Sequence, residues 1–343
     1  MNLTLRVLID FIAPETPLYG PTWGVTKNLI RSPVPHDPMM LWNGLQTKLP
    51  PMLDWLRNHY PPYPVRKFLI EQSLRRPHSE GIAHHYDVSN EFYQLFLDKK
   101  FMFYSCADFD HEADTLEQAQ TNKANFLLGL IDPQPGERIL DLGCGWGGML
   151  QHIYESTGDS DNILGYTLSK DQFEYANQRL PFRVELENFI TKDYEPESFD
   201  KIYSIGAWEH VRPKDVPDVL SKLYTALSPG GRLVQHFFCS LVDGYHTWQL
   251  AGQFYFPGSH PPAYPSQVRA FEAAGFRISA RSIHDYRPTL RAWFDNLSAN
   301  QDRAIELVGL RTYHRYLVFF ASAWRLFDES KAMLVRYRLD KPV

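Results

Sequence analysis

The chain gathers its most chemically suggestive residues in one stretch, Ile139-Leu-Asp-Leu-Gly-Cys-Gly-Trp-Gly-Gly148, where an acid, Asp141, precedes four glycines in six residues. A glycine has no Cβ, so a ligand can approach its backbone closely. The apolar run before the glycines reads as a strand and the residues after them as the start of a helix. Ligands bind at such a turn, at the carboxyl end of a strand in an open α/β sheet. Gly143-x-Gly145-x-x-Gly148 also satisfies the dinucleotide pattern, so a nicotinamide cofactor has to be weighed. Two details argue against it. Asp141 lies before the glycines, where a carboxylate can hold a cationic amino group. The second strand ends in Gly165-Tyr-Thr-Leu-Ser169 instead of the acid expected for a ribose, and Asp171 follows Lys170 into a helix. A tight turn without a ligand explains less, because the glycines cost conformational entropy with no packing reason evident in the sequence.

Such a turn needs a sheet to hold it. From Arg138 onward short apolar strands alternate with amphipathic helices. The pattern predicts strands at 138–142, 163–167, 183–186, 201–205, 232–238 and 276–283, and helices at 147–155, 170–179, 217–227 and 265–274. Repeated β-α units predict an α/β fold: a mostly parallel sheet with helices on both faces. A helix over 313–327 and a strand near 333–338 complete the sheet from one edge, giving seven strands. Upstream, residues 84–130 read as helical pieces around the aromatic loop Phe101-Met-Phe-Tyr-Ser-Cys106. Among these is a helix over 115–130 with Thr115 as N-cap. Residues 1–83 are rich in proline, which breaks helices. They read as a separate N-terminal appendage of short helices and loops, able to act as a substrate cap, with residues 84–343 as the main domain.

Composition narrows the function classes. The 343 residues are 44% apolar and 22% charged, as in ordinary globular proteins, so fibrous and wholly disordered classes drop out. A net charge of −5 lacks the basic footprint of a nucleic-acid binder. Three cysteines cannot form a disulfide framework, which fits a reduced cytoplasmic setting. The longest apolar stretch, 317–324, falls short of a membrane span. The N-terminal run carries Arg6 and Asp10 and no small-residue cleavage site, which argues against a secretory signal. Aromatic residues make up 14% of the chain, and this fits either core packing or an aromatic-lined pocket. The cysteines are isolated, without zinc-ligand spacing, so no metal site is expected.

Asp-x-Gly-x-Gly at a strand end resembles the S-adenosylmethionine turn of class I methyltransferases. Further segments resemble the cyclopropane-fatty-acyl-phospholipid synthases and mycolic acid cyclopropane synthases. These are His85-Tyr-Asp-Val-Ser-Asn90, Tyr104-Ser-Cys106, Thr115-Leu-Glu-Gln-Ala-Gln120, Thr167-Leu-Ser-Lys-Asp-Gln172, Ser204-Ile-Gly-Ala-Trp-Glu-His210 and Tyr255-Phe-Pro-Gly258, with Asp285-Tyr286, Thr289-Leu-x-x-Trp293 and Tyr313-x-x-Tyr316 near the end. The resemblance runs over about residues 84–340 and does not reach residues 1–80. It implies a Rossmann-like class I methyltransferase fold.

By similarity, S-adenosylmethionine would be contacted by Tyr104, Ser105, Asp141, Gly143, Cys144, Gly145, Trp146, Thr167, Leu168, Gln172 and Asn188. A bicarbonate ion, the family's base, would be held by Cys106, Glu209, His236, Tyr286 and the backbone at Phe238, which makes Glu209, His236, Tyr286 and Cys106 the catalytic set. Taken singly, Glu209 reads as a helix-start carboxylate, His236 as a core histidine and Cys106 as a small buried hydrophobe; their company is what singles them out. The implied activity is methylene transfer to the double bond of an unsaturated acyl chain, giving a cyclopropane. Phe101, Phe103, Trp208, Phe237 and Phe238 are candidates to steady the cation that results. The alternative is C- or N-methylation of a lipid or small natural product on the same core. A hydrophobic acceptor, contact with a membrane surface or an acyl carrier, and a homodimer all fit such an enzyme.

The chain departs from the family's pattern in three places. A cysteine of the C-terminal helix is replaced by Ala323. The loop after the third strand reads Leu186-Glu-Asn188, which weakens an adenine contact there. The N-terminal region lacks the segment carried by the phospholipid-acting members, which bears on the substrate more than on the chemistry.

Overall fold

The computed structural model describes residues 21–74, 89–253, 255–256 and 259–343. The expectations placed on residues 1–20, on His85 and on Pro257-Gly258 lie outside these. The elements in chain order are α1 Pro21–Ile30, α2 Pro38–Gln46, α3 Pro51–His59, α4 Tyr63–Ser73, α5 Asn90–Gln94, α6 Leu116–Ile131, β1 Ile139–Leu142, α7 Gly148–Thr157, β2 Ile163–Thr167, α8 Lys170–Asn177, β3 Arg183–Leu186 and β4 Phe199–Ile205. A 3₁₀ turn, Trp208–His210, leads to α9 Val216–Ala226, β5 Leu227–Ser240, α10 Thr247–Gly252, α11 Tyr264–Ala273, β6 Arg277–His284, α12 Arg287–Ala299, α13 Gln301–Asp328 and β7 Ala332–Asp340. Among the described residues no helix is long and apolar enough to cross a membrane.

The chain divides into two compact units. One takes its described residues from Met1–Phe96, Gly244–Ser259 and Leu290–Glu329, and the other from Leu97–Asp243, His260–Thr289 and Ser330–Val343. The first is helical. Its prolines start helices, where the missing N–H has no partner to lose: α2, α3 and α4 each carry proline in the first two positions. Its centre is an aromatic cluster in which Phe92 and Phe96 pack edge-on or tilted against Tyr316 at 4.8 and 5.8 Å between ring centres. The hydroxyls of Tyr93 and Tyr316 meet at 2.8 Å. For these rings the core-packing explanation of the aromatic content holds.

The second unit holds a seven-stranded sheet of order β3-β2-β1-β4-β5-β7-β6, with β7 antiparallel to both neighbours. Alternation along the strands sends side chains to opposite faces. Leu140, Leu142, Ile202 and Leu233 pack with Val219, Leu220 and Leu223 of α9 and Phe271 of α11. Ile139, Tyr203 and Val234 pack with Ala124 and Leu127 of α6 and Met149 and Ile153 of α7. The expected two-faced cover is therefore present. The last strand corrects the sequence reading, because β7 does not close an edge: it lies between β5 and β6. Its burial explains why. Of its nine residues only Met333 and Arg338 are partly exposed, so it needs a neighbour on each side, whereas β6 alternates exposed and half-buried positions as an edge strand does.

Candidate functional site

The glycine turn forms because β1 is hydrogen-bonded into the parallel sheet up to its last residue, where both Gly143 and Cys144 donate their N–H to the Tyr166 carbonyl of β2 at 3.0 and 2.8 Å. Gly143 has φ +89°, and a Cβ there would come within 2.4 Å of the Ala207 Cβ. A Cβ on Gly148 would lie 2.2 Å from the Phe101 carbonyl oxygen. These two glycines thus have packing reasons that the sequence did not reveal. Gly145 differs: its φ is +57°, but a Cβ would meet nothing within 4 Å. Space of this kind beside a backbone is what a ligand needs.

Asp141 flanks that space. It is buried, and its Oδ1 has no hydrogen-bond partner among the described residues. Burial pushes its pKa up to about 8 against the opposing pull of the Tyr203 hydroxyl, which the register places beside it. A cationic group would supply the missing partner, so the residues fit an amino-bearing sulfonium cofactor. At the end of β2, Thr167 donates from Oγ1 to Gln172 Oε1 at 2.8 Å, and Ser169 caps α8. Trp146 and Cys144 are buried in the turn, and Leu168 is half-buried after β2. Asn188 turns its side-chain carbonyl on its own loop, accepting from the Ile190 N–H at 3.1 Å.

The segment from Phe101 to Asp108 is laid out by buried polar groups. Asp98 accepts the backbone N–H of Phe101, Met102 and Phe103 at 2.6, 3.2 and 2.9 Å, and so holds Met102 at φ +55°. From α6, whose Thr115–Gln118 capping box forms as a reciprocal pair, Gln120 donates to the Ser105 carbonyl and Lys123 to the Ser105 Oγ at 2.9 Å. Lys123 is fully buried, and burial pulls its ammonium down to about 7 even with Asp98 opposing. Its Nζ also sits 3.6 Å from the centre of the Phe103 ring. Tyr104, between these anchors, is half-buried.

Cys106 follows. Its thiol donates to the carbonyls of Ala107 at 3.4 Å and Asp285 at 3.5 Å, and burial pushes its pKa up to about 12. Tyr286, half-buried, is the next residue after that carbonyl. Glu209 lies in the 3₁₀ turn beyond β4, and its Oε1 accepts the Phe238 N–H at 3.0 Å. Burial raises its pKa to about 7. His236 is fully buried two residues before Phe238, level with Ile205 at the end of β4. The strand that carries it runs four residues further, to Ser240.

Three of the four expected catalytic side chains are thereby brought onto neighbouring segments. Cys106 and Asp108 share the loop before α6, Asp108 reaches His236 through Arg336, and Glu209 is tied to β5 beside His236. Two aromatic candidates go elsewhere. Phe237 alternates to the opposite face, stacked on Tyr337 at 5.9 Å, and Trp208 is core on that same face, with its indole N–H donated to Gln267. Phe101 and Phe103 stack on each other at 4.9 Å on the Asp141 face. Sequence reasoning missed Asp98, Asp108, Lys123, His284 and Arg336. One signal was available, an arginine inside the apolar run Met333-Leu-Val-Arg-Tyr337.

The strand order with its antiparallel β7, and an acid-and-glycine turn closing β1, define a class I S-adenosylmethionine-dependent methyltransferase. The chain belongs to the mycolic acid cyclopropane synthetase family, whose profile it matches over residues 73–337. It is 32% identical over 288 residues to the S-adenosylmethionine-dependent methyltransferase UmaA of Mycobacterium tuberculosis, which covers 78% of this chain and 99% of UmaA. The solved structure of mycolic acid cyclopropane synthase CmaA1, complexed with SAH and CTAB, is 28% identical with a TM-score of 0.70, covering 77% of this chain and 99% of that one. Coclaurine N-methyltransferase, solved with N-methylheliamine and SAH, shares the fold at 20% identity with a TM-score of 0.70, covering 92% of this chain and 98% of its own.

Proposed function

We propose that this protein transfers a methylene group from S-adenosylmethionine to the double bond of an unsaturated fatty acyl lipid, with bicarbonate held in the site as the base. S-adenosylmethionine supplies an electrophilic methyl carbon on a sulfonium; Asp141, the glycine turn, Thr167 and Gln172 are the residues to hold it. An alkene that has accepted a methyl carries positive charge on the adjacent carbon, and a proton must leave the new methyl before the ring closes. The observation that carries the reading is the character of the buried groups around His236. The Cys106 thiol stays protonated, and the only imidazole nitrogen of His236 able to hold a lone pair already accepts from Arg336 at 2.9 Å. Neither can collect the proton, yet His236 keeps a donor that suits an anion. Glu209, fixed by the Phe238 amide, completes the cradle. A dry site of this kind also protects the cation from water.

Support for a lipid acceptor comes from the helical unit. Of thirteen exposed large apolar residues among those described, eight fall between Val34 and Phe68, including Met40, Met52, Trp55 and Phe68. Such exposed apolar groups suit contact with lipid.

The test is turnover of an unsaturated acyl lipid in buffer purged of carbon dioxide, with the product read by NMR for ring protons. Activity should fall and return on adding bicarbonate. Glu209→Gln should lower turnover by roughly 10²–10⁴-fold while calorimetry finds cofactor affinity nearly unchanged. Full activity in purged buffer, or in the variant, would remove the bicarbonate pocket. A methyl branch in place of ring protons would replace ring formation with simple C-methylation.

A further inference from the structure

A row of buried and half-buried polar residues crosses three strands on one face of the sheet. His236 of β5 is the Cα partner of Arg336 on β7, and Arg336 is the partner of Ser282 on β6, with His284 two residues along on the same face. Arg336 and His236 are both fully buried. The guanidinium donates from Nε to His236 Nδ1 at 2.9 Å, and from its two terminal nitrogens to both Asp108 oxygens at 2.6 and 2.8 Å. His284 Nδ1 meets Asp108 Oδ1 at 3.0 Å, and the Ser282 hydroxyl meets His284 Nε2 at 2.8 Å. Phe126 of α6 roofs the row, with its ring 4.9 Å from the guanidinium carbon.

The hydrogen-bond roles are fixed by chemistry. Arginine only donates, so Nδ1 of His236 must be the acceptor and carries no hydrogen. In a neutral imidazole the hydrogen is then on Nε2, and that atom is buried with no hydrogen-bond partner among the described residues. An imidazolium would place a hydrogen on Nδ1 against the guanidinium, so protonation is opposed by geometry as well as by burial. The ionisable groups around the imidazole are Arg336 from β7, His284 from β6, Lys123 from α6, Asp108 and Cys106 from the loop before α6, and Glu209 of the 3₁₀ turn, which the Phe238 N–H holds two residues along β5. Burial opposes a charge on His236 first, and the Arg336 guanidinium beside it adds to that. Burial would raise the Asp108 carboxyl, but the His284 and Arg336 contacts outweigh it and hold it down to about 2, so it remains an anion that aligns the guanidinium.

We propose that Arg336, aligned by Asp108 and His284, is a positioning residue that locks His236 with its hydrogen on Nε2, making it a permanent donor to a bound oxyanion and never the base. The lock stands on the geometry of these residues; the oxyanion as its target rests on the bicarbonate reading above.

The test pairs spectroscopy with kinetics. Enzyme carrying ¹⁵N-histidine, with the His236 signals identified by their loss in His236→Gln, should show hydrogen on Nε2 alone and no change of form between about pH 6 and 9. Asp108→Asn, which frees the guanidinium at nearly constant volume, should mix the tautomers. It should also raise the KM for bicarbonate about tenfold to a hundredfold, with kcat recovering at saturating bicarbonate. Hydrogen on Nδ1 in the wild type overturns the lock, even if the variant does not fold. A tautomer shift in Asp108→Asn with an unchanged KM overturns the donor role. Wild-type turnover indifferent to bicarbonate sinks the base assignment and the donor's target, and leaves the lock to be judged by the spectrum.

Discussion

Asp141 carries a cost that folding alone does not return, since a buried carboxylate with one oxygen unpartnered among the described residues is stabilised further only when something cationic arrives. Its pKa, raised to about 8, sets the sign of the pH effect. Between about pH 4, where the unfolded carboxyl titrates, and pH 8, the native chain binds the extra proton, so rising pH erodes stability across that window. Asp141→Asn should therefore match the wild type near pH 4 and melt higher by pH 8. The gap should be on the order of a few kcal/mol, as followed by thermal unfolding of the cofactor-free protein. The same change should cost cofactor affinity, and the wild type should bind more tightly as pH rises toward 8, by up to about tenfold per unit. A variant that melts lower than the wild type at pH 8, or binds as tightly, would contradict this role. Glu209, raised to about 7, follows the same sign over a narrower range.

Among the elements, the loop before α6 depends on Asp98 most directly. Three backbone donors end on one buried carboxylate, and one of them belongs to Met102 in the left-handed region. Asp98→Ala leaves all three unsatisfied, and we expect a loss of roughly 3 kcal/mol or more in urea unfolding. Cofactor binding should fall with it, because Ser105 and Cys106 follow on the same loop. A loss under about 1 kcal/mol would show that water replaces the carboxylate. Much at this scale was legible from sequence. Strands β2 and β3 and the capping of α6 fall where apolar runs and Thr115 place them, because such signals are local. The position of β7 was not, since pairing between β5 and β6 is a long-range fact. Helices α10 and α12 also went unread. The site divides the same way: the glycine turn announces itself in ten consecutive residues, while His284 and Arg336 are brought together by strand register and Asp108 by the fold of a distant loop.

At the scale of the whole molecule, the sheet depends on a strand that follows all the others in the chain. Without β7 both β5 and β6 present bare edges, and Arg336 is gone. A chain stopped after Glu329 should lose near-ultraviolet circular dichroism and aggregate, as judged by sedimentation. A soluble product that still binds S-adenosylmethionine would show that β1 to β5 suffice.

The same pairing has a consequence for folding. Until β7 docks against β5, His236 has no guanidinium beside it to fix which ring nitrogen carries the hydrogen. Docking of that strand therefore completes the sheet and sets the imidazole in one and the same event.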